Sequence, residues 1–471
     1  MQLKRMVMSA VILMLFSAAV PQAEEFYKRA PDVLPGTLPE MRDPSYWIAR
    51  MVEPDEVILT LGEIQALNER FHGRMSNPRF FDTVAEERMP PDYFYPGVAL
   101  FAPDLHALPQ ADVADTVRTH INQQISYLKS RKFGNIFGVE YAEWELDEII
   151  AEMGLDRVGN DVVPRDGITV RTTRLRNVPA LSPLKVGTNA LGSHRWDRWG
   201  IALVRIASPV TVLHRSVTGE FCLVLCDIGY GWIRSDDIAF GTRRDIEAFS
   251  EPKDFVISTE DRTMFYSTER CEYAAGWFMM GNRLPLVDRN NPRKIRVPVR
   301  KTNGEFTTDT AWLKDDADVH VGYLPYTRRN IVETAFKLLD DPYDWTGAWY
   351  GRQHETAYTD VFACFGFALP HRDPLFTFYG DDGTVLLPGA GKEEQFRVML
   401  SHEPFVTLQS CGRHGQLLLG EYNGEPIVFD MHGYGYDDEN GTRNEVMRCC
   451  IGTLMLPEYF LERNITFLEL K

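Results

Sequence analysis

The stretch from Leu338 to Arg372 constrains the fold more than any other part of the chain. It reads Leu-Leu-Asp-Asp-Pro-Tyr-Asp-Trp-Thr-Gly over 338–347, passes through Arg352-Gln353-His354-Glu355, and ends Asp360-Val361-Phe362-Ala363-Cys364-Phe365-Gly366-Phe367-Ala368-Leu369-Pro370-His371-Arg372. Ile331, Ala335, Leu338 and Leu339 share one helical face, and Asp341-Pro342 ends that helix, because proline lacks an N–H and restricts the residue before it. An aromatic and glycine loop follows. A second helix is expected to open near His354 and close at Gly366, ahead of an extended Leu-Pro. Many enzymes place a nucleophile at such a loop-to-helix step, where orphaned N–H groups and the helix dipole gather.

Upstream, the pattern divides the chain. Residues 24–154 read as mainly helical: Thr60 and Glu63 form a capping box before Ile64, Leu67 and Phe71, and Val113, Val117, Ile121, Ile125 and Leu128 recur at helical spacing. From 155 to 250 short strands take over, among them Val210-Thr211-Val212-Leu213-His214, Phe221-Cys222-Leu223-Val224-Leu225-Cys226 and Gly229-Tyr230-Gly231-Trp232-Ile233. Residues 251–326 carry further strand-like runs around Phe255, Leu284, Ile295 and Val321. Residues 327–471 return to helices and then strands. There, Gln409–Gly420 and Glu421–Asp430 read as the two arms of a hairpin turning at Tyr422-Asn423-Gly424-Glu425, and a third strand is expected near Ile451–Leu456.

A chain of 471 residues fits three or four domains. Lys4 and Arg5, the apolar run Val7–Val20 and small residues up to Ala23 read as a signal peptide over 1–23, since the run is too short for a stable membrane anchor. The mature chain is therefore expected to be exported, to the periplasm or the medium, without a stable anchor. A formal net charge of −17, more negative still without Lys4 and Arg5, argues against nucleic acid and anionic membranes as partners. The seven cysteines are odd in number and match no zinc spacing, so most are read as buried thiols.

The Pro342-Tyr343-Asp344-Trp345 loop, the Gly366-Phe367-Ala368-Leu369-Pro370-His371-Arg372 run and the His414 to Asp430 hairpin together resemble the NlpC-type cell-wall cysteine peptidases, papain-like enzymes that cut peptidoglycan stem peptides. Residues around Tyr46-Trp47-Ile48 and Glu63–Asn68 are similar to that family's helical stabilising domain. Leu175–Pro179, Trp196–Gly200 and the Gly-Trp-Ile strand are similar to its bacterial SH3-like barrels. The resemblance implies a multidomain α+β protein: signal peptide 1–23, helical amino-terminal cap 24–154, SH3-like barrel 155–250, a possible second barrel 251–326, and a papain-like domain 327–471.

The same resemblance assigns the site. The family's cysteine lies twelve residues before the glycine at 366, which is His354 here. Gln353 and Glu355 stand where its aspartate and serine would be. His414 takes the place of the catalytic histidine, Asp430 or His432 that of the orienting residue, and Tyr343 and Trp345 line the substrate loop. An imidazole can attack acyl groups, but the adduct is labile and the ring is larger than a thiol. Gln353 also removes the carboxylate that the family pairs with its substrate's free amine. Cys364 is the nearest thiol, but lies ten residues along the helix in an apolar stretch, an unsuitable setting for a thiolate. Two readings follow, with no cofactor required. The first is a stem-peptide-binding protein that has lost its nucleophile. The alternative is an active peptidase, cysteine-type by ancestry or metal-assisted through His354 and His414, with His432 as a further ligand.

Overall fold

The change of period near residue 155 is a change of architecture in the computed structural model, which describes residues 28–75, 104–130, 132–135, 139–181, 185–186, 197–370, 385–386, 391–411, 415–453 and 465–471. The expected signal peptide and His414 lie outside these residues. Among the described residues four α-helices come first: α1 (Pro44–Ile48), α2 (Leu61–Met75), α3 (Gln110–Lys129) and α4 (Glu143–Glu152). The capping box before α2 is reciprocal. Thr60 N–H donates to Glu63 Oε2 at 2.8 Å, and Glu63 N–H donates to Thr60 Oγ1 at 3.4 Å.

Among the described residues the expected helical cap divides between two cores. Met41, Trp47, Ile64 and Phe71 are buried with the last third of the chain, whereas Val113, Val117, Ile121 and Leu128 pack against Trp199, Leu223 and Trp232. A single apolar stripe on a helix needs a partner surface, and each pair of helices finds a different one.

Next comes an antiparallel seven-stranded sheet made of β1 (Arg165–Thr169), β2 (Thr173–Arg176), β3 (Gly200–Val204), β4 (Pro209–Arg215), β5 (Phe221–Cys226), β6 (Gly229–Arg234) and β7 (Ile238–Phe240). Their order is β7-β1-β4-β5-β6-β2-β3. Helix α5 (Arg243–Ser250) links this sheet to seven more strands: β8 (Phe255–Ser258), β9 (Arg262–Tyr266), β10 (Ala274–Met279), β11 (Arg283–Pro285), β12 (Lys294–Arg300), β13 (Phe306–Trp312) and β14 (Val319–Val321). They form two small sheets, ordered β11-β8-β14 and β10-β9-β13-β12. Their core includes Phe265, Phe278, Leu284, Ile295 and Leu313 and is continuous with Ile168 and Ala239 of the first sheet.

The last part contains α6 (Arg328–Phe336), α7 (His354–Ala363), β15 (Val385–Leu386), α8 (Lys392–Met399), β16 (Thr407–Cys411), β17 (Gly415–Tyr422), β18 (Glu425–His432), β19 (Arg448–Thr453) and β20 (Ile465–Glu469). The sheet order is β15-β20-β16-β17-β18-β19. Asn423 and Gly424, at φ 53° and 80°, form the two-residue turn between β17 and β18. The run Gln409–Gly420, expected as one arm, is instead split: β16 and β17 are antiparallel neighbours with Ser410 opposite Gly415. Gly415 opens β17, and glycine weakens a continuous strand. Helix α7 lies on β17 and β18, tied by Tyr358 Oη donating to Phe429 O at 2.9 Å. Among the described residues no helix is long and apolar enough to cross a membrane.

Candidate functional site

The loop feeding α7 is shaped by one buried carboxylate. Asp344 Oδ2 accepts the N–H groups of Trp349 and Gly351 at 2.7 and 2.8 Å, and Asp344 N–H donates to Arg352 O at 2.6 Å, which closes the loop on itself. Burial pushes the Asp344 carboxyl above the usual range, and the backbone donors oppose it. Thr346 is held at φ 61°, a conformation a β-branched residue adopts only when its surroundings impose it. Those surroundings are β3: a Cβ added at Gly200 would fall on the Thr346 side chain, and one at Gly347 would fall on Leu203. Thr346 N–H donates to Gln353 Oε1 at 3.1 Å, so the strained residue also fixes the side chain just before the helix.

Gln353 is the helix N-cap residue, and its own N–H donates to Thr356 Oγ1 at 3.0 Å. His354 is the first residue of α7 and only 6% exposed. Its ring stacks on Tyr343, with centroids 5.3 Å apart and planes 30° from parallel. Its Nε2 lies 3.7 Å from Glu355 Oε2. Tyr343 in turn lies against Gly433, where an added Cβ would come within 2.6 Å of the ring. Trp345, in the turn Trp345–Gly347, has the Arg198 guanidinium 4.5 Å from its ring centroid.

On the facing sheet, Asp430 and His432 point to the same side of β18 because side chains alternate along a strand. His432 Nδ1 and Asp430 Oδ2 are 2.9 Å apart, and a carboxylate acceptor places the ring proton on Nδ1. The same carboxylate oxygen accepts from Gln416 Nε2 at 3.0 Å, and Gln416 Oε1 accepts from Gln409 Nε2 at 3.0 Å. This buried chain of four polar side chains was not anticipated beyond Asp430 and His432. The available signal was a polar residue at an inward position of an apolar strand, as in Gly415-Gln416-Leu417-Leu418-Leu419. Besides the Tyr358–Phe429 bond, Tyr343 links the helix side to the strand side, touching both His354 and the residue after His432.

Sequence reasoning also missed Arg352. It is fully buried one residue before the N-cap. Its Nε donates to Asp360 Oδ2 at 2.7 Å, its Nη1 reaches the Asp261 carboxylate and lies 3.4 Å from Asp341 Oδ2, and its Nη2 donates to Asp261 O at 3.0 Å. Arg205 pairs with the other Asp360 oxygen. Burial alone would lower the Arg352 pKa, but Asp360 and Asp261 outweigh it and hold the guanidinium charged. Residues from the first sheet, the second set of strands and α7 thus meet directly behind the site.

Against known proteins, no family model matches the chain, and no curated protein matches at a significant level. Solved structures do. An NlpC/P60 endopeptidase from Photobacterium damselae subsp. piscicida superposes with a TM-score of 0.71 at 17% identity, covering 94% of this chain and 98% of that one. The chain has the NlpC/P60 endopeptidase fold. A second such structure, an NlpC/P60 family protein from Bacillus cereus, covers 58% of this chain and 83% of its own at 16% identity, with a TM-score of 0.39.

Within this NlpC/P60 fold, the described buried thiols sit in settings that disfavour the thiolate. Cys364 is buried, donates to Ser258 O and Asp360 O at 3.5 Å, and is pushed up to about 12 by burial. Burial likewise raises Cys449 and Cys450 well above the ordinary thiol value. Among the described residues no group of three His, Cys, Asp or Glu side chains is arranged to hold a metal ion.

Proposed function

We propose that this chain is an exported protein of the NlpC/P60 family that binds peptidoglycan stem peptides in the groove between α7 and β18 and does not cleave them efficiently. One observation carries the reading: an imidazole, that of His354, opens the helix at the position where the family resemblance expects the attacking thiol. Loss of a nucleophile typically lowers kcat by about 10⁶-fold. The Asp430–His432 pair and Tyr343 remain in place, which supports retention of a shaped groove. Residues 155–250 and 251–326 serve as SH3-like modules beside it, and residues 1–23 direct export. The site would take Gln353, Tyr343, Trp345 and Glu355 as ligand contacts, and His414, outside the described residues, keeps the catalytic-histidine role that the family resemblance implies.

The test is mass-spectrometric detection of cleavage of L-Ala-γ-D-Glu-diaminopimelate by the purified protein, with and without a chelator, beside His354→Cys. Cleavage by His354→Cys alone is the expected result. Robust cleavage by the unmodified protein would overturn the proposal, and its loss on adding chelator would assign the activity to a metal held by the histidines.

A further inference from the structure

A surface beside the groove is built in a way the peptide-binding role does not explain. Trp349 is 68% exposed, although its N–H is pinned to Asp344. Tyr350, the next residue, is held at φ 64°, where a bulky side chain is a true outlier. Its backbone is fixed at both ends: its N–H donates to Gly347 O at 3.0 Å, and its carbonyl accepts from Arg262 Nη2 at 2.7 Å. The Tyr350 ring meets Trp277 of β10 edge-on, with centroids 6.0 Å apart and an interplanar angle of 84°. Two guanidinium groups flank these rings, Arg262 at 5.2 Å from the Trp277 centroid and Arg174 at 5.8 Å from that of Tyr350.

We propose that Trp349, Tyr350 and Trp277 form a shelf for an anionic polysaccharide, the N-acylated amino-sugar backbone to which stem peptides are attached. This deepens the reading above and rests on it for the choice of ligand. A pyranose presents a face of C–H bonds that lies well on an exposed ring, and an indole offers a large rigid contact area at low entropic cost. Charge complementarity selects the anionic kind: in a chain of net charge −17 this shelf is edged by Arg174 and Arg262, and although Arg262 Nε lies 3.3 Å from Asp261 Oδ2 and Arg174 Nη1 donates to Ala348 O, the two cations outnumber that one carboxylate. The strained Tyr350 backbone seats its half-buried ring against Trp277, next to the exposed Trp349, and such strain is tolerated where a ligand site benefits from it. Tyr350 is also only four residues from His354, so one strand could cross the shelf while its peptide enters the groove.

The experiment titrates the full chain by calorimetry with three probes: peptide-free glycan strands with their lactyl carboxylates free, a neutral N-acetylglucosamine tetramer, and the free stem tetrapeptide. The strands are expected to bind roughly tenfold tighter than the neutral oligomer, and Trp349→Ala is expected to weaken strand binding by a similar factor with peptide affinity unchanged. Absence of strand binding, or an unchanged strand affinity in Trp349→Ala, overturns the shelf. Equal affinity for the neutral oligomer overturns its assignment to an anionic saccharide. Strand binding without peptide binding supports the shelf and defeats the groove reading, whereas peptide binding without strand binding does the reverse.

Discussion

Asp341 gives the clearest handle on the charged cluster behind the site. Its carboxylate lies 3.4 Å from Arg352 Nη1 and is 25% exposed. Burial first, and then the Asp261 charge, raise it to about 6, with Arg352 and Arg262 opposing and Asp340 adding. A free aspartate titrates near 3.9, so the native state holds this proton more tightly than the unfolded chain does. The stability it contributes is therefore fully present below about pH 4 and is lost as pH rises through about 6. At about 1.4 kcal/mol per unit the full loss would approach 3 kcal/mol, and solvent screening of a partly exposed group reduces this to about 1.5 kcal/mol. Asp341→Asn keeps an oxygen acceptor toward Arg352 and removes the titration. Urea unfolding followed by tryptophan fluorescence is expected to show the variant more stable by about 1.5 kcal/mol near pH 7.5, by about a third of that near pH 4.5, and indistinguishable near pH 3. A pH-independent difference, or a variant less stable near pH 7.5, would refute the assignment of Asp341 as a carboxylate destabilised by its own cluster.

Two further outcomes follow from the same geometry. Arg352→Met leaves Asp360, Asp261 and Asp341 without their shared cation and is expected to cost about 3–5 kcal/mol in urea unfolding, with part of the loss recovered when Asp360→Asn is added. Brief iodoacetamide treatment of the native protein followed by peptide mapping is expected to modify the half-buried Cys271 and spare Cys222, Cys226, Cys364, Cys449 and Cys450, whereas rapid labelling of Cys364 would show that the helix interior opens to solvent.

Local signals in the chain carried the elements that flank the site. Pro342 and Gly366 bracketed the loop and α7, Asn423-Gly424 marked the hairpin turn, and Thr60 with Glu63 marked the start of α2, because each acts through backbone geometry within a few residues. The pairing of β16 with β17 escaped notice because the run from Leu408 to Leu419 carries no two-residue turn signal of the Asn-Gly kind and reads as one strand. The division of the helical cap between two cores was equally illegible, since an amphipathic stripe states that a face is buried and not against what. The Arg352 cluster could not be read at all. Its members, at 205, 261, 341, 352 and 360, are ordinary charged residues until the fold brings them together.

That cluster bears on how the loop ahead of α7 keeps its shape. The conformation of the loop is imposed by residues far earlier in the chain: β3 presses on Thr346 and Gly347, Thr346 Oγ1 lies 3.3 Å from Asp197 O, and Arg174 donates to Ala348 O at 3.3 Å. Asp261 and Arg205 then hold Arg352 and Asp360 on either side of the N-cap. A buried network of this kind loses far more when one member is removed than the whole contributes over an apolar alternative, so its parts are retained together. The contacts that set the loop run through Asp344, Thr346, Gly347 and Arg352. The His354 ring meets Tyr343 and Glu355, and a change at position 354 alters the chemistry at the start of α7 while Asp344, Thr346 and Arg352 hold the loop and the N-cap.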